Sequence, residues 1–127
     1  MRVYYLEKPL SEEDAADVAA MLETGIEQVR IPHLFPAEGS GASLDAIMSR
    51  AEGAAAALLR GAGMLADYGA RVGLVIPGNM ISYGSLSEAI HNLTGYYPFV
   101  IQTAEHRRAI GNPGDLRIFD MEGMTND

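Results

Sequence analysis

The chain has 127 residues, no cysteine, no tryptophan and a formal charge of −8 at pH 7 from 9 basic and 17 acidic side chains. That length suits one domain around one core; the missing cysteines remove disulfides, thiol catalysis and Cys-ligated metals, and the acidic balance disfavours duplex nucleic acid. Arg60, Gly61 and Asp67 break the apolar runs, so no membrane span is expected, and the opening MRVYYLEKPL turns polar too early for a secretory signal, which makes a cytoplasmic location the expectation.

Residues 2–7 (RVYYLE) are β-branched and aromatic and read as a first strand, which Pro9 ends. Ser11-Glu12-Glu13-Asp14 reads as a helix start, with Ser11 as N-cap and Asp14 at the third position, close to a capping box. Val18, Met21 and Leu22 follow at helical spacing, and Gly25 closes the helix. Residues 28–35 (QVRIPHLF) read as a second strand, shortened by Pro32, and 36–42 as a loop. A long helix is predicted over 43–68, with Leu44, Ile47, Ala51, Ala55, Leu58 and Leu59 among the residues sharing one face. Gly53, Gly61 and Gly63 predict a kink or break in it. Its second half, AAAALLRGAGMLA, is apolar around much of its circumference, which points to deep burial or to cover by a second subunit; a homodimer is expected.

The most informative stretch runs from Arg71 to Gln102. Residues 71–76 read as a central strand, apolar on both faces as parallel strands are. A turn on Pro77-Gly78-Asn79 and a Ser/Gly-rich loop lead into a helix over 83–94, which buries Leu86, Ala89, Ile90 and Leu93 and ends at Gly95. Residues 97–103 read as a fourth strand, 104–115 as a polar loop, 116–120 as a short edge strand and 121–127 as a frayed tail. Strands alternating with helices predict an α/β fold: a Rossmann-like three-layer sandwich on a mainly parallel sheet of four to five strands.

In such a sheet the carboxyl ends of the strands share one edge. Glu7-Lys8, His33 to Phe35, Gly78 to Ser85 and Thr103 to Arg108 are expected to meet there. Gly78 and Gly84 permit close backbone approach, Asn79 completes the turn, Ser82 and Ser85 offer hydroxyls, and a helix start offers free N–H groups, a set that suits phosphate. An ordinary turn with an N-cap needs the same residue types. Lys8, Arg107 and Arg108 are candidate phosphate contacts. The run His106-Arg107-Arg108 reads either as a clamp or as a solvated charge cluster. His33 and His91 are candidate acid–base groups, His91 lying one turn after Ser87 and Glu88. No Walker loop, GxGxxG, HxH, HExxH or GxSxG occurs, so no nucleotide cofactor, metal or serine-hydrolase chemistry is expected.

From Leu74 to Gln102, LVIPGNMISYGSLSEAIHNLTGYYPFVIQ resembles the C-terminal half of small stand-alone CRISPR-associated proteins of the Csx group. The resemblance rests on Pro77-Gly78, on Glu88 and His91, and on Gly95 and Pro98, and the opening strand–turn–helix–strand is similar to that group's beginning. It implies a minimal CARF-like domain binding a cyclic oligoadenylate second messenger across a homodimer, with loop 77–85 of each subunit cradling phosphate. Ser82, Tyr83 and Ser85 would donate hydrogen bonds, and Tyr83 would stack on adenine. Some members cleave the ring without metal, by attack of a ribose 2′-hydroxyl on its own phosphate, and others sequester it. For cleavage, Ser82, His33 and His91 are the catalytic candidates. The alternatives are an α/β enzyme or binding module for another small anionic nucleotide or sugar phosphate, and a structural subunit docked through residues 54–65.

Overall fold

Alternation along the strands decides which helix covers which face of the sheet. The computed structural model describes residues 1–31, 44–78 and 80–124. Among them are β1 (Arg2–Tyr5), β2 (Glu27–Arg30), β3 (Gly73–Val75), β4 (Phe99–Gln102) and β5 (Arg117–Asp120), in the order β2-β1-β3-β4-β5. The first four strands pair in parallel, with Val3 opposite Gln28 on one side and Gly73 on the other; β5 returns antiparallel, setting Ile118 against Ile101.

Parallel neighbours need a crossover, and here helices supply it. Helix α1 (Glu12–Leu22) joins β1 to β2, α2 (Leu44–Gly61) precedes β3, and α3 (Met80–Thr94) joins β3 to β4. Tyr4 and Leu74 point to one face, where they are buried with Ala55 and Leu59 of α2 and Leu86, Ala89 and Ile90 of α3. Val3 and Val75 point to the other face, buried with Leu10 and Val18 under α1. The α/β architecture with a mainly parallel five-stranded sheet is therefore present as expected. Gly73 sits in a tight place in β3: a Cβ there would lie 3.1 Å from Val3 and 3.2 Å from Ile101, so both side chains would have to shift by a few tenths of an ångström.

Local chemistry explains most element ends. Ser11 Oγ accepts the Asp14 N–H at 3.1 Å, the cap the sequence predicts. Helix α1 ends two residues before Gly25, at Glu23, which takes a left-handed φ of 55° and bonds back to Ala19 and Ala20. The long helix breaks after Gly61: Gly63 adopts φ 89° and a 3-10 turn (Met64–Asp67) follows. Two further expectations need correction here. Residues 104–109 are not loop but a short helix, α4 (Ala104–Ala109), because Thr103 caps it by accepting the His106 N–H at 3.1 Å. Part of the supposed frayed tail, Met121–Met124, forms a helical turn, α5, and Glu122 N–H bonds the Asp120 carboxylate at 3.1 Å.

At the amino edge of the sheet a polar network ties β1 to the 3-10 turn. The buried Tyr4 hydroxyl donates to Asp67 Oδ2 at 2.7 Å, and Arg2 Nη1 donates to Gly63 O at 3.2 Å. Burial pushes the Tyr4 phenol up from 10.0 to about 12; the neighbouring Arg2 pulls the other way, and the bond to Asp67 adds to the rise. A phenol kept neutral by folding contributes its full stability below pH 10.0 and loses it as pH rises through about 12. Two pKa units correspond to about 2–3 kcal/mol. Urea denaturation of wild type and Tyr4→Phe should therefore show the stability difference between them shrinking by that order between pH 10 and 12. A difference that stays constant over this range would mean that the phenol is not held neutral.

Candidate ligand cleft

Strands β1 and β3 are hydrogen-bonded neighbours, yet the chain leaves β1 for α1 on one face and β3 for α3 on the other. Loops that part in this way open a crevice at the carboxyl ends of the strands, the usual ligand position of an open parallel sheet. A cleft of about 460 Å³ lies there, within the size range of small-molecule sites. Its floor is apolar, from Val75, Ile76 and Pro77; one wall is the β1–α1 loop with Glu7, Lys8 and Ser11, and the other is α4 with Thr103, Glu105 and His106.

The walls are fixed by specific bonds. The side-chain amide of Gln28 on β2 pairs with both backbone groups of Leu10, accepting its N–H at 2.7 Å and donating to its carbonyl at 3.3 Å, and so pins the first wall. Thr103 caps the second. Glu7 Oε1 accepts the Gly78 N–H at 3.2 Å, which holds the turn after β3 against the turn after β1. Lys8 Nζ spans the walls and reaches both Glu105 oxygens at 3.0 Å. Both members of that ion pair are mostly exposed, at 71% and 66%, and such a pair is worth about 0–1 kcal/mol. An incoming anion can therefore take Lys8 from Glu105 at little cost.

The structure sorts the residues singled out in the sequence. Lys8 and Gly78 line the cleft, with Glu7 and Thr103. His33 and Asn79, with Leu34 and Phe35, lie outside the described residues. The stretch expected to form a phosphate loop over 77–85 is helical from Met80 onward, so Ser82, Tyr83, Gly84 and Ser85 belong to α3. Ser82 and Ser85 are buried at 2% and 0% exposure, and Ala51 and Ala55 of α2, the helix that packs on α3, are buried as well. Small residues let packed helices approach closely, and a buried helix face calls for the same residue types as a phosphate loop. Tyr83 packs against the core, with its hydroxyl 4.0 Å from Met121 Sδ.

His91 lies near the end of α3, at the sheet edge opposite the cleft, where its ring stacks on Tyr97 with centroids 4.2 Å apart. The Tyr97 hydroxyl donates to Glu88 at 3.4 Å, and the charge of Glu88 is the main cause of the raised Tyr97 pKa. Arg107 is a staple rather than a ligand contact: Nε donates to Asn112 O at 3.1 Å and Nη1 to Asp115 O at 2.8 Å. Its guanidinium lies over Gly114, where a Cβ would collide with it. Arg108 is exposed and does not line the cleft.

His106, in contrast, faces the cleft. The sequence signal for it was Thr103 placed three residues ahead of His106, an N-cap spacing that turns the basic run into a helix. Among the described residues, no group of three or more His, Asp or Glu is placed to hold a metal, and no helix is long and apolar enough to cross a membrane. Among the described side chains of α2, Ala51, Ala55 and Leu59 are buried, and Ala56 and Leu58 pack on the same core, as does Ala62 just past the helix. Beyond it, Leu65 and Tyr68 remain exposed, at 59% and 79%.

No family model, curated protein or solved structure matches this chain.

Ser85 separates the packing role of α3 from a ligand role. Its hydroxyl is buried without a hydrogen-bond partner, and removing an unsatisfied buried polar group relieves a desolvation cost. Ser85→Ala should leave urea-monitored stability unchanged or raise it by about 1 kcal/mol. A loss of similar size would show that the hydroxyl is used.

Proposed function

We propose that the cleft binds a small nucleotide, and that its specific form is the one the resemblance implies: a cyclic oligoadenylate held across a homodimer and sequestered by it. The observation that carries the nucleotide reading is the position of the cleft, at the point where the loops after β1 and β3 part to opposite faces. The chemistry of the walls supports it. An apolar floor of Val75, Ile76 and Pro77 suits a base, and the carboxylates of Glu7 and Asp14 can accept from ribose hydroxyls or an exocyclic amine. Lys8 supplies a cation that is only weakly engaged. With three acids lining the same cleft, a single phosphate per protomer is favoured over a polyphosphate. A cyclic oligonucleotide shared by two protomers meets that condition, because each protomer then receives only part of the ring.

Sequestration is favoured over cleavage. Of the three expected catalytic residues, Ser82 and His91 are not among those lining the cleft: Ser82 is buried in α3 and His91 lies toward the far end of that helix.

Incubation with cyclic tetra- and hexa-adenylate in EDTA, followed by chromatography beside a calorimetric titration and a mass measurement of the complex, tests each part. The expected result is a ligand-bound dimer with the ring intact, and about tenfold weaker binding by Lys8→Ala. Linear products under EDTA would replace sequestration with a metal-independent ring nuclease. Absence of binding to either ring would remove the second-messenger reading, and absence of binding to mononucleotides as well would remove the nucleotide reading.

A further inference from the structure

Of the basic run at 106–108, His106 is the member that lines the cleft. Its ring is held from behind. The amide nitrogen of Gln102 lies 3.1 Å from His106 Nδ1, and Gln102, the last residue of β4, is buried at 7% exposure. The backbone is held as well, since the His106 N–H donates to Thr103 Oγ1 at 3.1 Å and the His106 carbonyl accepts the Ile110 N–H at 3.1 Å. A neutral imidazole carries one proton. With the amide nitrogen of Gln102 as the donor, Nδ1 is the acceptor and a neutral ring carries its proton on Nε2. The bond to Gln102 occupies Nδ1, which leaves Nε2 as the nitrogen available to a ligand. Across the cleft stands Lys8, in its exposed pair with Glu105.

We infer that His106 is the phosphate-contacting side chain of the cleft, donating from Nε2–H, and that Gln102 is the positioning residue that sets this tautomer. The inference rests on the nucleotide reading of the cleft. A phosphate oxygen entering between the walls receives the Nε2–H bond from one side and the Lys8 ammonium from the other, while Glu105 gives up Lys8. The pairing gives a role to the glutamine buried at the end of β4: its amide orients the imidazole without placing another carboxylate beside the ligand, in a cleft that already carries Glu7, Asp14 and Glu105.

Two measurements test this. Long-range ¹H–¹⁵N correlation of the imidazole nitrogens reads the tautomer without any ligand. Nε2–H is expected in the wild type and a mixed population in Gln102→Leu, whereas Nδ1–H in the wild type would overturn the inference. Calorimetry with 5′-AMP and adenosine isolates the phosphate. The wild type should bind AMP more tightly than adenosine, and His106→Ala should lose about tenfold in AMP affinity with little change for adenosine. His106→Gln, whose amide nitrogen reaches about as far as Nε2, should recover part of the loss, which a purely structural histidine would not produce. If the wild type prefers AMP and His106→Ala keeps that preference, the inference fails and the nucleotide reading stands. If the wild type binds neither AMP nor adenosine nor the cyclic adenylates, both fail.

Discussion

Parallel pairing of β1 with β3 is the constraint on which the cleft depends. Neither strand can reach the other by a hairpin, so each must be followed by a crossover, and a crossover lies on one face or the other. Here α1 covers the Val3–Val75 face, while α2 and α3 cover the Tyr4–Leu74 face. Two hydrogen-bonded strands whose outgoing chains diverge leave a gap between their loops that no helix fills. At Gly73 the side chains of Val3 and Ile101 pack closely where a Cβ would stand. The cleft is thus a product of topology before it is a product of side chains.

The two edges of the sheet carry different duties. At the amino edge the polar groups are spent on the fold itself: Tyr4 on Asp67, Arg2 on Gly63, and Arg71 on Asp120 at 2.8 Å while its guanidinium sits 4.0 Å above the Phe99 ring. These contacts join segments far apart in sequence and close the core from below. At the carboxyl edge, buried or half-buried side chains hold loops rather than one another. Gln28 grips the backbone of Leu10, and Gln102 grips the ring of His106. The residues they present, Lys8 and His106, remain available to a ligand. A site needs this division, since groups that recognise a ligand must stay unsatisfied by the protein while the backbone beneath them stays fixed.

The parts of this architecture that were legible in the sequence are those set by local chemistry. The β-branched strands, the Ser11 cap, the break near Gly61 and Gly63 and the glycine stop at Gly95 all report conformational preferences that act over a few residues. What was illegible depended on distant partners. Ser82, Gly84 and Ser85 have the composition of a phosphate loop, yet they fall within α3, where both serines are buried. Arg107 has the appearance of a ligand clamp until the turn at 112–115 folds back under it. Helix α4 is too short and too polar to show a hydrophobic period, so its one signal was Thr103. Glu23 closes α1 in a conformation that favours glycine, and with Gly25 two residues away the sequence pointed to the wrong residue.

An acidic chain is not barred from an anionic ligand, because what the ligand meets is local. The charge of −8 is spread over a surface where water and salt screen separations beyond about 10 Å. Inside the cleft the ligand meets two donors, Lys8 and His106, beside Glu7, Asp14 and Glu105, and Glu7 already has a partner in the Gly78 N–H. Displacing Glu105 from Lys8 frees one cation for the ligand and leaves a carboxylate that is already mostly exposed to be solvated by water. The same accounting sets a limit on the ligand. Each further phosphate would meet acids with no cation left among the cleft residues to offset them. A site of this kind selects for a nucleotide whose charge is single, or is divided between two copies of the protein.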